Sequence, residues 1–180
     1  MAGILAQGLA GAPGPAGQVA CSGTPIARYS ACTSETQPEA IDQDMPADDL
    51  FAAATAARAN AYAPYSDYPV GAALRGADGR VYAAANVENA AYPQGQCAEA
   101  SAIGMMVTAG ERRIVEALVV AAGQHIPTPC GGCRQRLREF MALDAPLHLA
   151  GPEGIRRTTT LGELLPLSFG PEHLGKAGPR

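Results

Sequence analysis

The chain has 180 residues, a formal net charge of −4 and one lysine, Lys176, the other basic residues being arginines. That length suits one domain with a sizeable core. No basic stripe favours a long nucleic acid, and no run of about 18 apolar residues is present to span a membrane. Five cysteines is an odd number, which fits a reducing, cytoplasmic setting better than a disulfide framework.

Residues 1–44 are rich in Gly, Ala, Pro, Ser and Thr, with few large apolar residues in any period. Such a segment cannot bury enough surface to offset its ordering entropy, so it is expected to be a disordered extension. Cys21 and Cys32 lie in it as bystanders. Most of the negative charge lies there too, with Arg28 against Glu35, Glu39, Asp42 and Asp44. No basic residue precedes Arg28, so a secretory or mitochondrial leader is not expected. Ordered patterning begins straight after Met45, which makes Met45 a second candidate for the start of the protein. The folded domain is expected over 45–174, with a frayed tail at 175–180.

Asp48 and Asp49 suit a helix N-terminus, and the alanine-rich run after them predicts a helix to about Tyr62, with Leu50, Phe51 and Ala54 inward. Pro64 and Pro69 then break the helix. Val70–Leu74 and Val81–Val87 read as an antiparallel pair joined through Asp78-Gly79, a hairpin signal. A loop over 88–96 leads to Cys97-Ala98-Glu99. A helix follows to about Ala109, with Gly110 as its stop. Val115–Ala122 is almost continuously apolar, as a strand covered on both faces would be. A second helix is predicted from about Cys130 to Leu143, with Leu137, Phe140 and Met141 inward. Two short strands at Leu147–Ala150 and Ile155–Thr159 and a helical turn over 160–165 complete the pattern. After the opening hairpin, helices and strands alternate, so the class is α/β with a mixed sheet covered on both sides.

Chemistry concentrates between 97 and 135. Pro129-Cys130-Gly131-Gly132-Cys133 places two sulfurs on one turn, close enough to share a tetrahedral zinc ion. Cys97 supplies a third ligand if the two clusters meet in space. Three protein ligands leave a position open for water, the mark of a catalytic site. Glu99, in the first helical turn after Cys97, can reach that water without being a ligand. Two other readings stay open: a closed structural zinc site with His125 as fourth ligand, and a redox CxxC pair, which would leave Cys97 and Glu99 idle.

Taken together, APYSDYPVGAAL (63–74), NVENAAY (86–92), CAEA (97–100), PCGGCRQ (129–135) and ELLPLSF (163–169) resemble the small cytidine deaminases of pyrimidine salvage. The resemblance runs from about residue 48 to 174. It implies a three-layer α/β/α fold with a five-stranded mixed sheet, and a homotetramer whose neighbouring subunits help build each active site. It implies one Zn2+ per chain on Cys97, Cys130 and Cys133, and proton transfer by Glu99. Asn86 and Glu88 would hold the ribose hydroxyls, with Asn89 and Tyr92 of the same loop lining the sugar. The Ala98 amide would meet the pyrimidine carbonyl, Tyr68 would stack on the ring, and Phe169 would close over the base from another subunit. Asn86 and Glu88 could instead satisfy turn backbone groups, and Tyr68 and Phe169 could be ordinary packing aromatics.

The implied reaction is hydrolysis of cytidine or deoxycytidine to uridine or deoxyuridine and ammonia. The intact Asn86–Asn89 stretch argues against a cytosine-bearing antibiotic as substrate, and the lack of basic surface argues against polynucleotide editing. A non-catalytic zinc module would need the fourth ligand. One departure stands out: many tetrameric members carry Arg directly after the catalytic Glu, and here that residue is Ala100. Three thiolates on Zn2+ leave a negative charge that raises the pKa of bound water. Arg134, next to Cys133, is the expected offset, and Arg134→Gln is expected to lower turnover about tenfold or more.

Overall fold

A computed structural model describes residues 47–176. The expected disordered extension, the Met45 start, Cys21, Cys32 and the last four residues of the tail lie outside the described residues. Four α-helices are described: α1 (Asp48–Arg58), α2 (Ala98–Thr108), α3 (Gly131–Phe140) and the short α4 (Leu161–Leu164). They surround strands β1 (Val70–Gly76), β2 (Val81–Ala85), β3 (Ile114–Ala121), β4 (Pro146–Gly151) and β5 (Gly154–Thr160).

The strands form one five-stranded sheet in the order β2-β1-β3-β4-β5. Every neighbouring pair is antiparallel except β3 and β4. A parallel pair needs a long crossover, and α3 provides it. Side chains alternate between the two faces of the sheet. Ala73, Leu118, Val120 and Ala150 pack against Leu50 and Ala54 of α1. Leu74, Ala117, Leu147 and Leu149 face the other way, onto Met106 of α2 and Leu137 of α3. The sequence therefore reads correctly as α/β with a sheet covered on both sides, and β3 is buried on both faces as its apolar run requires.

Two glycines permit this packing. A Cβ at Gly71 would lie 2.0 Å from the Ala54 carbonyl oxygen, so only glycine lets α1 lie this close on β1. Gly79, at φ 78°, closes the β1–β2 turn.

Three element ends differ from expectation, each for a local reason. Helix α1 stops at Arg58, and the chain turns so that Tyr62 accepts the Glu88 N–H and donates to the Asn86 carbonyl. Strand β2 stops at Ala85, because Val87 leaves the β1 edge to pair with Tyr62 and Gln96. Helix α3 stops at Phe140, because Met141 turns extended, is fully buried and bridges to Ile114. Phe140 itself is half-buried.

A polar chain crosses the sheet on the α1 side. The buried Arg75 guanidinium donates to both Asp49 oxygens at 2.8 and 2.6 Å and to Glu116 at 2.8 Å. Glu116 in turn lies 2.8 Å from His148 Nε2, and His148 Nδ1 lies 2.9 Å from the Thr158 hydroxyl. Arg75 holds the Asp49 carboxyl below its ordinary 3.8. The stability this gives is complete above pH 3.8 and is lost as pH falls through the lower folded value. Arg75→Met strands Glu116 among β-strands and is expected to destabilise the fold by about 2–4 kcal/mol. Thermal unfolding across pH checks it: the midpoint falls at neutral pH, and the Asp49 contribution to acid sensitivity shrinks to what its hydrogen bond from the Leu50 N–H supports.

Candidate active site

The sites foreseen at 97–99 and 129–133 sit on two helix N-termini that converge. Cys97 is the N-cap of α2 and Cys130 the N-cap of α3, both with extended backbone. Their carbonyls accept the first helical bonds, from Ser101 and Arg134. The N–H groups of the first turns are left without helical partners. Those donors and the helix dipoles favour negative charge on the sulfurs.

The Cys97, Cys130 and Cys133 sulfurs all lie within 4.8 Å of one another, with Cys97 and Cys130 at 3.8 Å. Four sulfurs placed tetrahedrally at a zinc–sulfur distance of about 2.3 Å would be spaced about 3.8 Å apart. The trio therefore fits a zinc ion and leaves one tetrahedral position free. Among the described residues it is the one such metal-ligating group, and His125 is not part of it. The His125 carbonyl instead accepts from Arg156 at 2.9 Å. The Cys97 thiol is lowered to about 6, chiefly because Cys133 hydrogen-bonds to it. Cys133, which makes that bond and is buried, is raised.

Cys97 and Cys130 line a cleft of about 750 Å³ together with Glu99, Ala98, Tyr68, Asn86, Glu88 and Tyr92. Glu99 is 4% exposed, and burial raises its carboxyl above the ordinary 4.5. Asn86 and Glu88 are tied to the facing turn. Asn86 Oδ1 accepts from the Val70 N–H at 2.8 Å and its amide donates to the Tyr68 carbonyl at 3.0 Å. Glu88 accepts from the Tyr65 and Ser66 N–H groups, at 2.8 and 3.2 Å, and from the Ser66 hydroxyl. These bonds hold its carboxyl low, the Ser66 hydroxyl contributing most. Each side chain still has hydrogen-bonding capacity towards the cleft.

The remaining candidates lie elsewhere. Asn89 lines an adjoining recess of about 350 Å³ and accepts from the Ala91 N–H at 2.8 Å. Phe169 is 56% exposed, stacks on His173 at 4.9 Å, and is not among the residues lining the cleft of its own chain. Arg134 lies on α3. Its guanidinium donates to the Pro129 and Leu164 carbonyls, both at 2.8 Å, and to Thr128 at 3.3 Å, so its hydrogen bonds anchor the loop before Cys130 and none goes to a thiol.

Sequence reasoning missed Ser66, Thr128 and Ile126, which also line the cleft. No spacing rule flags loop residues of this kind. It also missed Arg136, whose charge lowers both Cys97 and Glu99. Arg136 lies three residues past Cys133 on a helix, a spacing that marks neighbours.

Comparison with known proteins agrees with this geometry. Residues 45–146 match the family described as the cytidine and deoxycytidylate deaminase zinc-binding region. A cytidine deaminase of Sporosarcina psychrophila is 41% identical over 133 residues, covering 74% of this chain and 98% of that protein. The crystal structure of cytidine deaminase from Burkholderia pseudomallei superposes with a TM-score of 0.66 at 41% identity, covering 69% of this chain and all of that one. That of the Mycobacterium tuberculosis cytidine deaminase gives 0.61 at 37% identity, covering 71% and 99%. The five-stranded mixed sheet, the helices on its faces and these matches lead to one conclusion: the chain belongs to the cytidine deaminase family of hydrolases.

Proposed function

We propose that this protein hydrolyses cytidine and deoxycytidine to uridine and deoxyuridine with release of ammonia, as a step of pyrimidine salvage. The observation that carries the reading is the convergence of three sulfurs and one buried carboxyl, Glu99, on one cleft. Cys97, Cys130 and Cys133 would hold one Zn2+ per chain, which when bound supplies Lewis acidity that makes water a nucleophile near neutral pH.

Glu99 accepts a proton from the attacking water and delivers it to ring N3 as the water oxygen bonds to C4. It then moves the second proton from that oxygen to the exocyclic amine. The C4–N bond breaks, ammonia leaves and the C4 carbonyl forms. A base raised above 4.5 by burial is better matched to both transfers than an ordinary carboxylate.

Asn86 and Glu88 receive the ribose hydroxyls with the capacity their turn bonds leave unused, and Asn89 and Tyr92 line the sugar. The Ala98 N–H, in the first turn of α2, meets the pyrimidine carbonyl, and Tyr68 stacks on the ring. Arg134 serves the site by fixing the loop that carries Cys130. Phe169 closes over the base of a neighbouring subunit in a homotetramer. Its exposure away from its own cleft supports that role, as does the anchoring of its carbonyl by Gln135 at 3.0 Å. No described helix is long and apolar enough to cross a membrane. A site that needs reduced thiols supports a cytoplasmic setting.

Two measurements test the reading. Uridine formation by zinc-loaded protein is expected from the wild type, and Glu99→Ala is expected to keep its zinc while turnover falls by about 10²–10⁴-fold. Retained turnover in that variant overturns the role of Glu99. Phe169→Ala is expected to raise KM roughly tenfold at unchanged zinc content, reflecting a lost aromatic contact. Sedimentation of the wild type is expected to give a tetramer, and a monomer with the same KM as the variant overturns the shared site.

A further inference from the structure

We propose that Arg136, one turn beyond Cys133 on α3, is the cation that balances the three-thiolate centre of this chain. The inference rests on the zinc reading above. Three thiolates around a divalent cation leave a net negative charge, which weakens the acidity of the water the centre must activate. A fixed positive charge nearby offsets it. Ala100, directly after Glu99, has no charge to give.

Helix α3 carries three arginines, and two are engaged elsewhere. Arg134 is hydrogen-bonded to Pro129, Leu164 and Thr128. Arg138 is buried and bound to Glu172 at 2.6 Å and Ser168 at 3.2 Å. Among the described residues neither Arg134 nor Arg136 forms an ion pair, and of the two it is Arg134 whose guanidinium is turned to the loop carbonyls.

Its position fits the role. Residues four apart on a helix stack over one another, so Arg136 lies over Gly132, beside the two ligands of the CxxC turn. A Cβ placed on Gly132 would lie 3.2 Å from Arg136 Nη1 and 4.0 Å from the Cys130 sulfur, so guanidinium and thiol flank one point that glycine leaves clear. Because the guanidinium is exposed, its influence is that of a partly screened charge, sensitive to salt.

Zinc affinity tests this directly. Reduced, zinc-stripped full-length protein is titrated with zinc against a chromophoric chelator, at low salt and at about 0.5 M salt, as wild type, Arg136→Gln and Arg136→Lys. The expected result is a roughly three- to tenfold weaker Kd for Arg136→Gln at low salt. Arg136→Lys should stay within about twofold of wild type, and the Gln deficit should shrink at high salt, as a charge effect requires. A helix-packing effect would not be rescued by lysine or screened by salt. Equal affinity of Arg136→Gln and wild type at low salt overturns the proposal, as does equal weakening by Lys and Gln. A wild type that binds no zinc overturns the zinc reading itself, a result distinct from either.

Discussion

Two helices begin at the same place, and the site depends on that meeting. The N-termini of α2 and α3 bring Cys97 and Cys130 to 3.8 Å although β3 and a loop separate them in the chain. Both cysteines stand at the N-caps, where the first-turn backbone N–H groups have no helical partner. Neither helix could be moved by much without opening the trio. The sheet fixes both: α2 packs on Leu74 and Ala117, and α3 packs through Leu137, with Met141 just past its end, on the same face. The parallel β3–β4 pair sets where α3 must run, since α3 is the connection between them. The buried Arg75–Glu116–His148 chain ties β1, β3, β4 and β5 from the opposite face. Stability on one side of the sheet therefore supports the positioning of the cysteines on the other.

Much of this was legible in the sequence, for reasons that differ by element. The apolar run of β3 suits a strand buried on both faces, and Asp78-Gly79 is a strong turn signal. The cysteines and Glu99 stood out because metal chemistry needs those residue types at those spacings. What stayed hidden was set by contacts distant in the chain. Helix α3 ends early because Met141 finds Ile114, and nothing within the helix itself announces that. The polar chain of Arg75 draws on residues from Asp49 to Thr158, and no window of sequence contains it. Arg134 and Arg136 show the same limit on a smaller scale. The nearer residue in sequence turns to the loop carbonyls, and the helical neighbour keeps its charge near the thiols.

The loop after β2 does two jobs with the same side chains. Asn86 and Glu88 hold the 65–70 turn by hydrogen bonds to its backbone while lining the cleft. The backbone-satisfying role and the sugar-binding role, alternatives when only the sequence is considered, are compatible here. An asparagine amide and a carboxylate each have more hydrogen-bonding positions than the turn uses. The turn bonds also restrict the side chains to one orientation before any ligand arrives. Such preorganisation lowers the entropic cost of binding. A substitution here would disturb the turn and the ligand contacts together, and the two effects would not separate into independent contributions.

The two cleft carboxylates are pushed in opposite directions, and that difference assigns their work under the proposed reaction. Glu88 is exposed to the cleft and surrounded by donors, so it stays ionised and can only accept hydrogen bonds. Glu99 lines the same cleft but is buried, and the loss of solvation holds its proton more tightly although a hydrogen bond with Cys133 pulls the other way. A group that must take a proton from water and release it to a ring nitrogen needs that tighter hold, because an ordinary carboxylate is too weak a base near neutral pH. A group that must receive sugar hydroxyls needs the reverse. One cleft thus supports two chemistries through unequal burial. The charge of Arg136 acts within the same balance: it lowers Glu99, but burial is the larger influence and leaves the carboxyl above its ordinary value.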